Sequence, residues 1–595
     1  MSAADPAPSR LPATSVPPLR SRVVWVLTGV AVAAAAVLPF LPALHGEFLN
    51  WDDEENFVRN HGFKGLGWGQ LRWMLSTTLM GHWIPLTWLS FALNYALGGM
   101  DPWGYHLGNI LLHAANALVF WRIARRLLIA AWGDDATSGA TNTGAAFAAV
   151  LFAAHPLRVE SVAWITERRD VLSGFFFLLS VWTFLRAAEG GRELRRGPYR
   201  LSVAAYATSL LAKASGITLP GALLLLDVYP LRRRALGWRR LVAEKLPHLA
   251  LAGAAAAVAI WAVRSGTVVT GYGEYGVGAR LAMTAYSLVF YPWKWLWPTA
   301  LSPMYELPVI VNPLTPRFLV PLLLVPAITA VLIVLRRRWP AGLAVWLYSC
   351  LMILPVSGAI HSGFQLAHDR YSYLSGLGLA VLAGGALVAV LRAGAQARLR
   401  PRLVGLLLGT AALVAVGLGA ETWRQSRLWG DSQTLWRWAV DLDPACSICN
   451  SNLGAAVIHT PSRTPVTAAL AEPYFRRAIA LRPERPTAYH NLGGALALQG
   501  RLAEAEVAFK EFLRLSPHVP EAPGRLGMLY VEQHRYGEAI LLLRAALAME
   551  PRFAAVRADL VRALRKHAEI LRRERQEALA QVFEREAAKV EAGSP

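Results

Sequence analysis

The sequence predicts an all-α protein: a polytopic membrane helix bundle of about eleven spans, followed by a tetratricopeptide α-solenoid. Three observations carry this. Of the 595 residues 55% are hydrophobic, and they fall in blocks near the length of a membrane span rather than spread as in one large soluble core. Arginine clusters recur between alternate blocks. Beyond the last block the chain becomes periodic, with a repeat of 34 residues.

Residues 1–22 are rich in Pro, Ala and Ser and are expected to form a disordered cytoplasmic tail. The first apolar block, 23–44, starts too late and is too long for a cleavable signal peptide. Further spans are expected at 107–127, 144–157, 171–187, 201–212, 215–230, 246–264, 318–335, 341–357, 372–391 and 403–420, giving a membrane domain over 23–425. With the N-terminus cytoplasmic, Arg122/Arg125/Arg126, Arg192–Arg200, Arg232–Arg234, Arg336–Arg338 and Arg392–Arg400 fall in or beside cytoplasmic loops, as the bias of positive charge requires. The net charge of +21 is therefore read as topology, and no nucleic-acid partner is expected. Leu281–Pro298 is long enough to cross, but crossing would invert the later arginine clusters; its aromatics and Lys294 suit an interfacial or re-entrant helix.

The periodic region, 426–551, carries Pro444, Pro483, Pro517 and Pro551 at spacings of 39, 34 and 34. Eight residues after each of the first three come Asn452-Leu453-Gly454, Asn491-Leu492-Gly493 and Arg525-Leu526-Gly527. Small residues let paired helices approach, and proline stops the second helix, so the pattern reads as tetratricopeptide repeats with an insertion near Thr460–Pro465. Residues 552–595 are expected to form a capping helix and tail. By this topology the repeats lie outside the cytoplasm of a multi-pass cell membrane.

The same topology gathers the unusual polar stretches on that side. The first external loop, 45–106, opens with Asp52-Asp53-Glu54-Glu55; His155–Glu160, Glu167–Asp170, Lys213, Glu274, Tyr305-Glu306 and His361–Tyr371 complete the set. Ionisable groups at membrane depth mark functional sites by default. Acids on one part of a cleft and cations on another suit glycosyl transfer from a lipid-phosphate sugar, and equally a transporter. Transfer needs a base for the acceptor hydroxyl, Asp52 or Asp53, and cations for the departing phosphate. Arg168, Arg169, Lys213 and Arg370 are the candidate phosphate holders, with His155 and His368 beside them.

Phe48–Asn60, His82–Ser90, Gly104–His113, His155–Ser173, Leu210–Pro220, Leu223–Leu231 and His368–Leu379 together resemble the transmembrane and tetratricopeptide-repeat proteins of bacteria, relatives of the eukaryotic O-mannosyltransferases. The resemblance runs from about Phe40 to Pro551. It implies a GT-C glycosyltransferase fold with its site at the first external loop. It also implies a polyprenyl-phosphate-linked donor, mannose in the eukaryotic relatives, and a polypeptide acceptor presented by the repeats. An aspartate of that loop is the presumed base in such folds; Asp52 is favoured slightly over Asp53. The chain departs from the bacterial pattern at Lys213-Ala214-Ser215, where relatives often carry Lys-Pro. The rival classes are a non-catalytic membrane scaffold for cell-envelope assembly and a lipid-linked-sugar transporter.

No cofactor or metal is predicted, although Asp52-Asp53 is compatible with a divalent ion. His106, Asn109 and His113 share helical spacing suited to interhelical hydrogen bonds rather than ligation. The tryptophans of 68–103 suit interfacial anchoring. Cys446 and Cys449 form a lone C-S-I-C, compatible with a disulfide on the extracytoplasmic side and not with a zinc site.

Overall fold

A computed structural model describes residues 19–132, 139–189, 191, 193–266, 275–359, 363–458 and 463–592. It divides into two compact units, 1–435 and 436–595. Nearly every described residue in regular structure is helical; the one sheet is a two-stranded antiparallel ladder of β1 (Tyr305–Glu306) and β2 (Gln365–Ala367).

The first unit begins with α1 (Leu19–Val37), then α2 (Trp68–Ser76) and α3 (Pro85–Gly98) in the external loop. The bundle continues as α4 (Pro102–Trp132), α5 (Gly139–Ala153), the short α6 (Val159–Ala163), α7 (Arg168–Ala188), α8 (Arg196–Ala212) and α9 (Leu219–Val228). After α10 (Trp238–Ala243) come α11 (Leu246–Gly266), α12 (Val277–Leu296), α13 (Pro316–Leu335), α14 (Pro340–Ile353), the single turn α15 (Ser372–Ser375), α16 (Leu377–Ala395) and α17 (Pro401–Leu428). Each of the eleven expected spans contains a helix. Seven of the described helices are long and apolar enough to cross a membrane, and an eighth crossing results if the bent pair 139–153 and 156–163 is one span. The segments at Ala214–Val228 and Pro340–Val356 are shorter apolar helices, whereas α8 begins with Arg196 and Arg200 and falls outside both groups.

Two local features shape the bundle. Pro156 lacks the N–H that α5 would need to continue, so the chain bends by 56° there and re-enters as α6. Gly144 of α5 meets Gly384 of α16, where a Cβ on Gly144 would stand 2.6 Å from the Gly384 carbonyl oxygen; only glycine permits this helix contact. α12 is amphipathic: Ala282, Met283, Phe290 and Tyr291 are buried, while Leu281, Trp293 and Leu296 are exposed. Trp88 is not an interfacial anchor as expected. It is buried in a cluster with Phe57, Phe63 and Phe91, whereas Trp68 and Trp103 remain exposed.

The second unit continues from α18 (Ser432–Leu442) into helix pairs α19 (Ser447–Ile458)/α20 (Pro465–Leu481), α21 (Pro486–Leu498)/α22 (Leu502–Leu515) and α23 (Glu521–Glu532)/α24 (Tyr536–Met549). Pro483, Pro517 and Pro551 each stand two residues beyond a second helix. The repeated glycines make room for the partner helix: a Cβ on Gly454 would lie 2.6 Å from the Phe475 ring, and one on Gly493 2.7 Å from the Phe509 ring. Cys446 and Cys449 are joined as a disulfide at the head of α19. The C-terminal region is a helical hairpin rather than one capping helix. α25 (Ala554–Arg573) turns at Arg575, which has φ +62°, into α26 (Glu577–Glu591), and Ala568, Leu571 and Ala580 close a small core between them.

Candidate active site

The acidic run forms one wide turn. Asp52 and Asp53 start it and Glu54–Val58 close it as a π-helix, so its four acids point in three directions. Glu54 and Glu55 face outward and pair with Arg59 at 2.7 and 2.6 Å. Asp53 points inward and is fully buried: one carboxylate oxygen accepts the Leu49 N–H (3.0 Å), the other the Thr166 N–H (3.1 Å) and hydroxyl (2.5 Å). Asp52 faces a cleft with its side chain 21% exposed, and the nearest cation is Arg169, with Nη2 at 3.8 Å. Enclosure by protein raises the Asp52 pKa above the usual carboxylate range, opposed first by Arg169 and then by Arg370. Trp51 stacks on Trp164 at 4.6 Å and fixes the turn against the chain beyond α6.

Opposite Asp52 the chain makes three breaks in apolar helix, and each delivers one cation. Trp164 is extended and Ile165–Glu167 is a 3-10 turn, which sets Glu167 and Arg169 at the start of α7. α8 ends at Ala212, leaving Lys213 extended at the mouth of the next turn. β2 ends at Ala367, and Asp369–Tyr371 is a further 3-10 turn carrying Arg370. All three cations converge on Glu167, which is fully buried: Arg169 Nη2 is 2.6 Å away, Lys213 Nζ 2.9 Å and Arg370 Nε 3.2 Å. A carboxylate at the first turn of a helix is also favoured by the helix dipole.

The network extends beyond this hub. Lys213 also donates to Asp170 at 2.6 Å, and Arg370 pairs with Glu160 through its guanidinium and donates its backbone N–H to the same carboxylate at 2.9 Å. Tyr305 of β1 donates its hydroxyl to Asp369 at 3.0 Å. Burial, then the charge of Glu160, pushes the Asp369 carboxyl up to about 8. His82, in the loop between α2 and α3, is exposed to the cleft. Enclosure, then the charges of Arg169 and Lys213, hold its imidazole below the ordinary pKa.

Arg168 and the two candidate histidines are held by other partners. Arg168, next to Arg169, turns to the opposite side of α7, where it is buried against α3 and α4. It donates to Asn109 Oδ1 (2.8 Å), to the Tyr105 carbonyl (2.5 Å) and to Asn94, in space that Gly108 leaves open. It is a strut rather than a site cation. His155 is buried at the α5 break: its Nδ1 accepts the Leu157 N–H (3.2 Å), its Nε2 donates to the Trp295 carbonyl (2.9 Å), and its ring stacks on Trp295. His368 Nδ1 lies 3.0 Å from the Pro303 carbonyl and 3.2 Å from Glu160, so it supports Glu160 from behind. Glu274 and His361 fall outside the described residues. Asn109 and His113 make interhelical hydrogen bonds, Asn109 to the Val162 carbonyl of α6 (3.3 Å) and His113 to Tyr373 (2.9 Å).

Among the described residues no group of three or more His, Cys, Asp or Glu is arranged to hold a metal. Sequence reasoning passed over Glu167 and Glu160 as members of charged runs, and over His82 as part of a motif. The signal for Glu167 was its place directly before two arginines at a helix start.

Among known proteins, residues 486–519 match the family model for a tetratricopeptide repeat. The chain is 34% identical over 172 residues to Protein O-mannosyl-transferase tmtc2 of Xenopus laevis, covering 29% of this chain and 19% of that protein. It is 37% identical over 151 residues to Protein O-mannosyl-transferase TMTC2 of Mus musculus (25% and 17%) and 32% identical over 236 residues to Protein O-mannosyl-transferase TMTC4 of Homo sapiens (37% and 30%). The alignments thus span less than a third of each relative's length. Among solved structures, ArnT from Cupriavidus metallidurans bound to undecaprenyl phosphate matches at 18% identity and a TM-score of 0.33, covering 84% of this chain and 81% of that one. At that score the match bears no weight for the chemistry.

Proposed function

We propose that this chain is a membrane glycosyltransferase that moves a sugar, mannose by its likeness to the O-mannosyl-transferases, from a polyprenyl-phosphate donor to a hydroxyl of a polypeptide on the extracytoplasmic side. The carrying observation is Asp52: a carboxylate open to a cleft, 3.8 Å from Arg169, facing the cations gathered on Glu167. Asp52 accepts the proton of the acceptor hydroxyl as its oxygen bonds to the sugar C1. The C1–O bond to phosphate breaks, and polyprenyl phosphate leaves with the electron pair. Asp52 loses one negative charge while the phosphate gains one, so the charge facing Arg169, Lys213 and Arg370 stays constant through the step. Fixed donors that need no rearrangement are where such sites gain most. The raised pKa of Asp52 supports a base that holds a proton once taken.

The repeats, as concave helical arrays, suit an extended polypeptide acceptor. The basic loop clusters and the Cys446–Cys449 disulfide, a bond at home in oxidising compartments, support an N-terminus in the cytoplasm and repeats outside it.

One observation favours a scaffold instead: Arg169, Lys213 and Arg370 already have carboxylate partners, as in a purely structural network. Turnover of polyprenyl-phosphate-mannose by the purified protein separates the two. We expect release of polyprenyl phosphate, lowered about a hundredfold or more by Asp52→Asn. No turnover of any lipid-linked sugar would favour the scaffold.

A further inference from the structure

A half-open cavity of about 930 Å³ lies among the bundle helices, away from the charged cleft. Its walls are apolar and include Phe120 of α4, Val181 of α7, Leu226 of α9, Val345 of α14, and Leu382 and Ala386 of α16. The lining follows α16 from Leu377 to Ala389, about 18 Å at the helical rise. That is close to the depth of one leaflet, half of a hydrocarbon core of about 30 Å. Leu377 is the end nearest the Arg370 turn, so Ala389 marks the far end of the bundle from Asp52.

The only charged residues among the described lining are Arg232 and Arg338, and both stand at that far end with Trp132 and Trp339. Both arginines are exposed, and among the described residues neither has a carboxylate within ion-pair distance. Arg392 stands beside the lining and braces Trp132, its guanidinium 5.3 Å over the ring and its Nη1 donating to the Trp132 carbonyl at 3.4 Å. A leaflet-deep apolar slot ending in two arginines without carboxylate partners and two half-exposed tryptophans has the polarity of an anionic lipid. Basic pockets between membrane helices bind such headgroups. The cleft cations, by contrast, are matched by Glu160, Glu167 and Asp170 at the opposite end.

We infer that this cavity is a binding site for an anionic phospholipid of the leaflet opposite the Asp52 cleft. The acyl chains lie along α16, and the phosphate is held by Arg232 and Arg338. The site does not depend on the proposed transfer reaction, because it lies at the other end of the bundle and its test needs no donor sugar.

The full chain, purified in mild detergent and offered phosphatidylglycerol, phosphatidylcholine or undecaprenyl phosphate, is weighed by native mass spectrometry. We expect about one phosphatidylglycerol retained per chain, and retention lowered tenfold or more in Arg232→Gln/Arg338→Gln. Ala386→Trp, which fills the cavity and leaves the arginines in place, should abolish retention. If the arginine variant misfolds, the tryptophan variant decides alone. Equal retention of phosphatidylcholine, or retention unchanged by either variant, overturns the inference. Binding of undecaprenyl phosphate that displaces phosphatidylglycerol and is lost in Ala386→Trp would give the cavity to the donor, and overturns it as well.

Discussion

Thr166 donates both its backbone N–H and its hydroxyl to one oxygen of Asp53, tying the acidic loop to the turn that starts α7. The neighbouring Asp52 is left to face the cleft. Adjacent aspartates therefore have separable tasks. Asp52→Asn should abolish most turnover while leaving thermal unfolding in place, because among the described residues its carboxylate makes no ion pair closer than the 3.8 Å contact with Arg169. Asp53→Asn keeps one acceptor oxygen for the Thr166 pair but sets an NH2 against the Leu49 N–H, and should cost about 1–3 kcal/mol of stability. Thermal unfolding and turnover of both variants check this; equal loss of activity at unchanged stability in Asp53→Asn would refute it.

Asp53 also gives stability a pH dependence. Burial outweighs the hydrogen bonds from Thr166 and Leu49 and lifts its pKa from 3.8 to about 7. Between those values the folded protein holds a proton that the unfolded chain has released, so stability falls as pH rises from 4 to 7 and levels off above. A shift of that size corresponds to about 4 kcal/mol over the window. Melting temperatures from pH 5 to 8 should decline in the native protein. In Asp53→Asn this contribution is absent, so the gap between the two proteins should narrow as pH rises.

Arg168 and Lys213 separate structural from site cations. Lys213 is partly exposed at the cleft and holds Glu167 and Asp170, whereas Arg168 is buried among Asn94, Tyr105 and Asn109. Lys213→Met should lower turnover about 100-fold or more, the scale for removing one oxyanion donor. Arg168→Lys loses the planar fork and should lower stability with turnover per folded molecule kept. A Lys213→Met enzyme with native kcat and KM would exclude the lysine from phosphate binding.

Much of this was legible in the sequence, for identifiable reasons. Asp52, Lys213 and Arg370 each interrupt an apolar run, and a charge at such a break has few places to go but a cleft or a partner. The repeats were legible because Gly454, Gly493 and the prolines are required by backbone approach and helix termination, which fix residue type. What sequence did not resolve was phase. Arg168 and Arg169 are adjacent, yet they face opposite sides because the 3-10 turn at Ile165–Glu167 sets the rotation at which α7 begins. Asp52 and Asp53 part for the same reason, on a wide turn whose register is fixed by Thr166, far away in sequence. The C-terminal hairpin was hidden because its small core rests on Ala568, Leu571 and Ala580 within a highly charged stretch.

The glycine pair in α21 offers a matched test of the solenoid. Gly493 and Gly494 are consecutive, but a Cβ on Gly493 would meet the Phe509 ring at 2.7 Å, while one on Gly494 meets nothing within 4 Å. Gly493→Ala forces Phe509 and α22 outward, and overpacking of that kind costs about 1–3 kcal/mol. Gly494→Ala instead removes backbone freedom from the unfolded chain at an open helical site, and should gain up to about 1 kcal/mol. Limited proteolysis of the full chain, followed at the repeats, reads both: cleavage should quicken in Gly493→Ala and slow in Gly494→Ala. The two helices of the repeat touch through position 493 and not 494, so effects of the same sign would mean that α21 is rotated from the orientation described.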